Sequence, residues 1–96
     1  MPSAKVGERV YAIRNSDEET IYAYGPGVYA GLQKPPVGTR TCFGVIDEDW
    51  PETYVNPRID LDNGGVVWGC QCWWGPEDEV SRSFGDRKVV IVPPRR

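Results

Sequence analysis

Two cysteines and three tryptophans stand within nine positions, VVWGCQCWW (66–74), in a chain that contains no histidine. Thiolates bind zinc or carry redox chemistry, but four-ligand zinc sites usually pair cysteines two to four residues apart. Cys70-x-Cys72 with one remote cysteine, Cys42, does not fit that spacing. An odd number of cysteines favours reduced thiols over a disulfide framework. We therefore predict no metal and no cofactor, with Cys70 and Cys72 acting as small buried apolar side chains.

A second group of chemically useful residues surrounds the segment NPRID (56–60), with Trp50 and Tyr54 upstream. An aromatic ring, an amide and a guanidinium can together hold a base and a phosphate, helped by backbone N–H groups. An alternative is that Asn56 bonds to its own backbone and Arg58 forms a surface ion pair with Asp60 or Asp62. The sequence leaves both interpretations open. The candidate ligand-binding residues are Trp50, Tyr54, Asn56, Arg58, Asp60 and Arg82, with Arg82 otherwise balancing nearby acidic residues.

Catalysis is not expected. The carboxylates show no spacing that singles out an acid and a base, and no imidazole is present to titrate near neutral pH. The chain also lacks a Gly-x-Ser-x-Gly elbow, a phosphate loop and a dinucleotide fingerprint. We predict that the protein is not an enzyme.

The length of the chain and its net charge limit the number of domains and the classes of molecule that it can bind. A chain of 96 residues predicts a single domain spanning 1–96. Eleven basic and fourteen acidic residues give a net charge of −3, which opposes capture of duplex nucleic acid but not of a small anion. No window is apolar enough to cross a membrane, and the first residues lack an apolar signal core. We predict a cytoplasmic protein that does not interact with membranes.

Glycine and proline interrupt the chain often, which favours short strands and tight turns. The patterns predict strands at 6–14 and 21–32, a hairpin over 57–74 around the turn 62–65, one helical turn within 76–84 and a strand at 88–92. Gly25-Pro26-Gly27 predicts either two strands or one bent strand. Residues 33–55 look irregular apart from a short strand at 41–46. The fold class predicted is all-β: a small antiparallel SH3/Tudor-like barrel with a short helical or loop decoration.

Residues 66–74 would form the second strand of the hairpin. Alternation then places one apolar set in the core: Val66, Trp68, Cys70, Cys72 and Trp74. The opposite set mixes glycine, glutamine and tryptophan, which suits a covered surface better than solvent. We therefore predict that Gln71 and Trp73 lie at an interface.

Three segments, GERVYAI, GPGVYAG and NPRIDLDNGGVVWGCQCWWGPE, resemble the phage Thoeris anti-defence family of cyclic-nucleotide sponges. This resemblance implies a Tudor-like barrel that forms a homodimer or a larger homo-oligomer in the infected bacterial host. It implies that the protein sequesters a cyclic ADP-ribose isomer, and in some members cyclic oligonucleotides as well. It also implies that Asn56 contacts the ligand, with Tyr54 or Trp50 from the preceding segment as candidates to stack on the base.

Two other functions fit the same residues. Tudor-like barrels often bind proteins, so the chain is alternatively an inhibitor of a host defence protein such as a CRISPR effector, anchored by Trp50, Tyr54 and Trp73. A cage of tyrosines and tryptophans for a quaternary ammonium group is a third option. Because a small barrel fills its interior with its own side chains, a ligand pocket must lie between subunits or under a loop.

Overall fold

The computed structural model describes residues 5–41 and 44–94, so Cys42 lies outside the described residues. The predicted all-β fold is confirmed: the described chain is mostly antiparallel strands with one short α-helix and one 3-10 helix. In chain order the elements are β1 (Arg9–Ser16), β2 (Thr20–Gln33), β3 (Arg40–Thr41), β4 (Gly44–Val45), β5 (Asn56–Leu61), β6 (Val66–Trp68), the 3-10 helix η1 (Gly69–Gln71), β7 (Trp73–Pro76), α1 (Glu77–Arg82) and β8 (Lys88–Ile91).

The main sheet has six strands in the order β6-β5-β2-β1-β7, with β8 also paired to β2. The long strand β2 pairs with β1 and β8 along its first part and with β5 along its second part. Gly25-Pro26-Gly27 lies within β2, so this segment is one continuous strand rather than two. The helix η1 joins β6 and β7, which are the two ends of the sheet order, as expected for a small SH3-like barrel.

Buried side chains form two apolar clusters on opposite faces of the curved sheet. The inner cluster comprises Val10, Ala12, Tyr24, Tyr29, Ile59, Leu61 and Val67. The outer cluster comprises Ile13, Ile21, Ala23, Val80 and Phe84, so that α1 and the turn after it cover part of the outer face. The ring of Trp74 stacks on Tyr29 with centroids 5.5 Å apart, which closes the inner cluster at β7.

The predicted strand 66–74 needs correction, whereas the predicted last strand is present as β8. The expected strand 66–74 is interrupted by η1, and Val67, rather than Val66, belongs to the inner cluster. Alternation holds only within one strand, so the break at η1 resets the side-chain direction before Cys72 and Trp74, which do pack against the core. The last strand, β8, runs parallel to β2.

The irregular segment 33–55 begins with Gln33, the last residue of β2, and its described part otherwise contains only the two-residue strands β3 and β4. The predicted helical turn within 76–84 is present as α1. No helix of the described chain has both the length and the apolar character needed to span a membrane.

Candidate ligand-binding site

A cleft of about 610 Å³ lies on the outward side of the β5-β6 hairpin. Its floor consists of Arg58, Val66 and Trp68, because the antiparallel register sets Trp68 opposite Arg58 and Val66 opposite Asp60. The loop at residues 36–39 forms one wall. The turn residues Gly64 and Gly65, together with Pro93 and Pro94, form the remainder of the described lining.

Among the described residues that line this cleft, Arg58 alone carries a charge. Its Nε donates to Oδ1 of Asp60 at 2.8 Å, and its Nη1 donates to Oε1 of Gln33 at 3.3 Å. Within the described chain its Nη2 has no hydrogen-bond partner. The ion pair is partly exposed, so it contributes little to stability. The pairing of Arg58 with Asp60 foreseen from the sequence is therefore present, and within the described chain it leaves Nη2 of this cleft-lining residue available as a donor.

Backbone N–H groups around the cleft are mostly occupied. The N–H of Gly38 donates to the carbonyl of Ile46, and that of Gly64 donates to the carbonyl of Leu61. The N–H of Gly65 donates to Oδ1 of Asn63. Because these donors are already used, the Arg58 guanidinium is the principal anion-binding group that the cleft offers.

Asn56 lines a neighbouring pocket of about 350 Å³. The residue is only 7 % exposed, yet no hydrogen bond to its side chain occurs within the described chain. The local backbone bond considered for Asn56 in the sequence is therefore absent. The described lining carries no charged residue: Asn56, Pro57, Gly69, Cys70, Cys72, Trp73 and Trp74. A buried amide offers two donors and an acceptor to a neutral polar group that enters this pocket.

The two thiols of this pocket differ in environment. Burial raises the pKa of the Cys72 thiol to about 12, with a smaller contribution from Cys70. The Sγ atom of Cys72 lies 3.5 Å from the carbonyl oxygen of Trp68. Cys70 lies on η1, and both cysteines are partly exposed. Among the described Cys, Asp and Glu residues, no group of three is arranged to hold a metal ion.

The remaining predicted site residues lie elsewhere. Trp50 and Tyr54 pack edge to face, with ring centroids 4.5 Å apart, and neither is among the residues that line the cleft or the Asn56 pocket. The Nζ of Lys34 donates to the carbonyl of Trp50 at 3.1 Å. Arg82 lies on α1, where its Nε donates to the carbonyl of Asp78 at 3.1 Å. The structure thus brings Arg58 and Asp60 together, with Asn56 next to them on β5.

Sequence reasoning missed the role of Trp68 and the contacts of Gln71. Trp68 is buried, but it belongs to neither core cluster and forms the floor of the cleft. The pairing of Trp68 with Arg58 across the hairpin was the signal that could have placed Trp68 beside the candidate anion-binding residue. Gln71 uses its amide inside the chain, bonding to Trp68 and Arg40. Trp73 is 60 % exposed, and its role at an interface stays a prediction.

No protein family, curated protein or solved structure matches this chain in the comparisons. The resemblance to cyclic-nucleotide sponges therefore stays a prediction. The functional argument depends on the geometry of the cleft and of the Asn56 pocket.

Proposed function

We propose that this protein binds and sequesters a small anionic cyclic nucleotide without changing it chemically. The observation that supports the proposal most is the cleft of about 610 Å³ with Arg58 in its floor and no carboxylate among its described lining residues. Such a site attracts a phosphate through the guanidinium while offering the Trp68 side chain as an apolar surface.

The size of the cleft is compatible with such a ligand. Small-molecule pockets typically have volumes of about 300 to 1,000 Å³, and the cleft of about 610 Å³ lies within that range. A cyclic ADP-ribose isomer has about 35 heavy atoms, and drug-sized ligands gain at most about 0.3 kcal/mol per atom. The resulting limit of roughly −11 kcal/mol corresponds to nanomolar affinity. Sequestration of a signalling molecule requires affinity close to that limit.

The neighbouring pocket supplies a second type of contact. Consecutive residues, Pro57 and Arg58 on β5, line the Asn56 pocket and the cleft respectively. A neutral base edge with adjacent donor and acceptor atoms is complementary to the Asn56 amide. We propose that phosphate groups bind at Arg58 and that the heterocycle of the same nucleotide binds near Asn56.

The biological setting follows from the resemblance stated above. We propose a phage anti-defence role in the cytoplasm of the infected bacterium, where the protein removes a cyclic ADP-ribose isomer made during an immune response. We further propose a homodimer or larger homo-oligomer, because a 96-residue chain has a thin core that a second subunit would support.

The alternative function is a protein-binding module that inhibits a host defence protein such as a CRISPR effector. Trp73 favours this alternative, since it is 60 % exposed and lies on β7 opposite Ile13. Ile91 on β8 is also largely exposed. Exposed tryptophans are frequent anchors of protein interfaces. A protein inhibitor is expected to co-purify with a macromolecule from host lysate, whereas a sponge is expected to carry a nucleotide.

Substitutions in the two pockets test the nucleotide proposal. Arg58→Ala removes a charge-assisted hydrogen bond of about 1.5 to 3 kcal/mol, so affinity for the cyclic nucleotide should fall about 10- to 150-fold. Asn56→Ala should weaken binding less, because the amide is neutral. The measurement is a thermal shift titration with cyclic and linear ADP-ribose derivatives and cyclic oligonucleotides.

The matched control is Arg14→Ala. Arg14 is an exposed arginine on β1 whose Nε donates to Asn15 and whose guanidinium lies 5.6 Å from the ring centroid of Tyr22. This variant loses the same charge away from both pockets and should bind as the unmodified protein does. Equal affinity of the Arg58, Asn56 and Arg14 variants would contradict the site. No shift with any nucleotide would favour the protein-binding alternative.

A further inference from the structure

The side-chain amide of Gln71 connects two separate parts of the chain. Its Oε1 accepts a hydrogen bond from the backbone N–H of Trp68 at 3.0 Å. Its Nε2 donates to the backbone carbonyl of Arg40, at the start of β3. The Gln71 oxygen thus bonds to β6 at Trp68, which lies in the floor of the cleft. The Gln71 nitrogen bonds to the loop that forms one wall of the cleft.

We define residues 36–40 as the wall loop, because residues 36–39 line the cleft and Arg40 follows them directly. The hydrogen bonds of this loop are otherwise made within residues 36–46. The N–H of Thr39 donates to the carbonyl of Pro36, and the N–H of Ile46 donates to the carbonyl of Thr39. In the described part of the chain, the bond from Gln71 is the one hydrogen bond between the wall loop and the barrel.

We infer that Gln71 is a positioning residue that latches the wall loop to the barrel and so fixes one side of the cleft. The inference concerns the shape of the free protein, and its consequence for ligand affinity rests on the proposed function. A loop that is tied by few bonds opens locally at low free energy. Removing a hydrogen bond typically changes such an equilibrium by about 2- to 12-fold. Gln71 therefore acts within its own chain, through its hydrogen bonds to Trp68 and Arg40.

Trypsin provides a direct test without any ligand. Arg40 is exposed and is followed by Thr41, whereas the Lys34-Pro35 bond resists trypsin. Cleavage of a locally opening segment follows the population of its open form. Gln71→Glu keeps the acceptor for Trp68 and places a carboxylate oxygen against the carbonyl of Arg40. Gln71→Met removes both bonds at similar length and without added charge. Both variants should be cut after Arg40 about 2- to 12-fold faster than the unmodified protein.

Asn15→Asp is the control for the added charge. Asn15 is an exposed residue on β1 whose Oδ1 accepts from Arg14, and an aspartate preserves that acceptor. This variant should be cut after Arg40 at the unmodified rate. Equal rates in all proteins would overturn the latch, and so would a parallel rise at every arginine bond, which would indicate global unfolding.

If the Gln71 variants do not fold, hydrogen exchange of the backbone amides in the unmodified protein tests the latch instead. The Trp68 N–H, which donates to Gln71, should exchange faster than the amides of β5. Exchange of the Trp68 N–H as slow as that of β5 would overturn the latch. Faster cleavage of folded variants, combined with no nucleotide binding by the unmodified protein, would contradict the proposed function alone. Nucleotide binding by the unmodified protein, combined with equal cleavage rates in all variants, would contradict the latch alone.

Discussion

Cys70 and Cys72 stand two residues apart in the sequence but in different environments. Cys72 packs against the inner cluster and Cys70 lies on η1, while both are partly exposed and line the Asn56 pocket. The sequence predicted that both thiols are buried, because it treated residues 66–74 as one strand. The 3-10 turn, in which Gln71 bonds to Trp68 and Arg40, moves Cys70 out of that register.

Thiol labelling tests this difference at the residue scale. The thiolate is the reactive form, and a Cys72 pKa of about 12 leaves about one thiol in ten thousand ionised at pH 8. In a Cys42→Ser background, N-ethylmaleimide at pH 8 should modify Cys70 and leave Cys72 unmodified in the folded protein. Both should react after denaturation. Both cysteines lie in one tryptic peptide, 59–82, so tandem mass spectrometry of its fragments assigns each adduct to a thiol. Equal labelling of Cys72 and Cys70 in the folded state would contradict the assignment.

The strand β2 determines how the sheet curls into a barrel, because it pairs with β1, β8 and β5 along different parts of its length. Gly27 lies where these pairings change, opposite Val10 on one side and Leu61 on the other. A Cβ atom at Gly27 would lie 2.5 Å from the backbone oxygen of Asp60. Backbone atoms cannot move aside as a flexible side chain can, so only glycine fits there.

Substitution of Gly27 by alanine should therefore destabilise the element that carries the site. Gly27→Ala should lower the free energy of unfolding by about 3 kcal/mol, because the new methyl group separates β2 from β5. Gly85→Ala is the matched control: Gly85 has a φ of +60° but open space around it. Its cost should be about 1 kcal/mol, from backbone conformation alone. Urea denaturation measures both, and a loss at Gly27 no larger than at Gly85 would contradict the packing argument.

At the element scale, locally encoded features were predictable from the sequence and tertiary ones were not. The turn 62–65 and the helical turn at α1 depend on nearby residues, and both are present. The parallel pairing of β8 to β2 depends on contacts between segments distant in the chain. The same holds for the break at η1, where Gln71 reaches across to Arg40. The periodicity of a segment contains no information about such partners.

At the scale of the whole molecule, the barrel interior is filled by its own side chains and the cavities lie outside it. The cleft lies under the wall loop on the outward side of β5 and β6, which is one of the two locations that the barrel argument allowed. Arg58 and Asn56 were selected from the sequence as polar groups at the start of a strand, and each lines a cavity, while their role in binding stays a prediction. Trp50, Tyr54 and Arg82 were chosen by proximity in sequence or by charge, and the folded chain positions them away from both pockets.

The most direct test of nucleotide sequestration is calorimetric titration of the purified protein with a cyclic ADP-ribose isomer, followed by heat denaturation and mass spectrometry of the released ligand. The account predicts binding in the nanomolar range, about one nucleotide per chain, and recovery of the nucleotide with its mass unchanged. Absence of binding across the cyclic nucleotide panel would contradict it. Recovery of a cleaved or linearised product would contradict it equally.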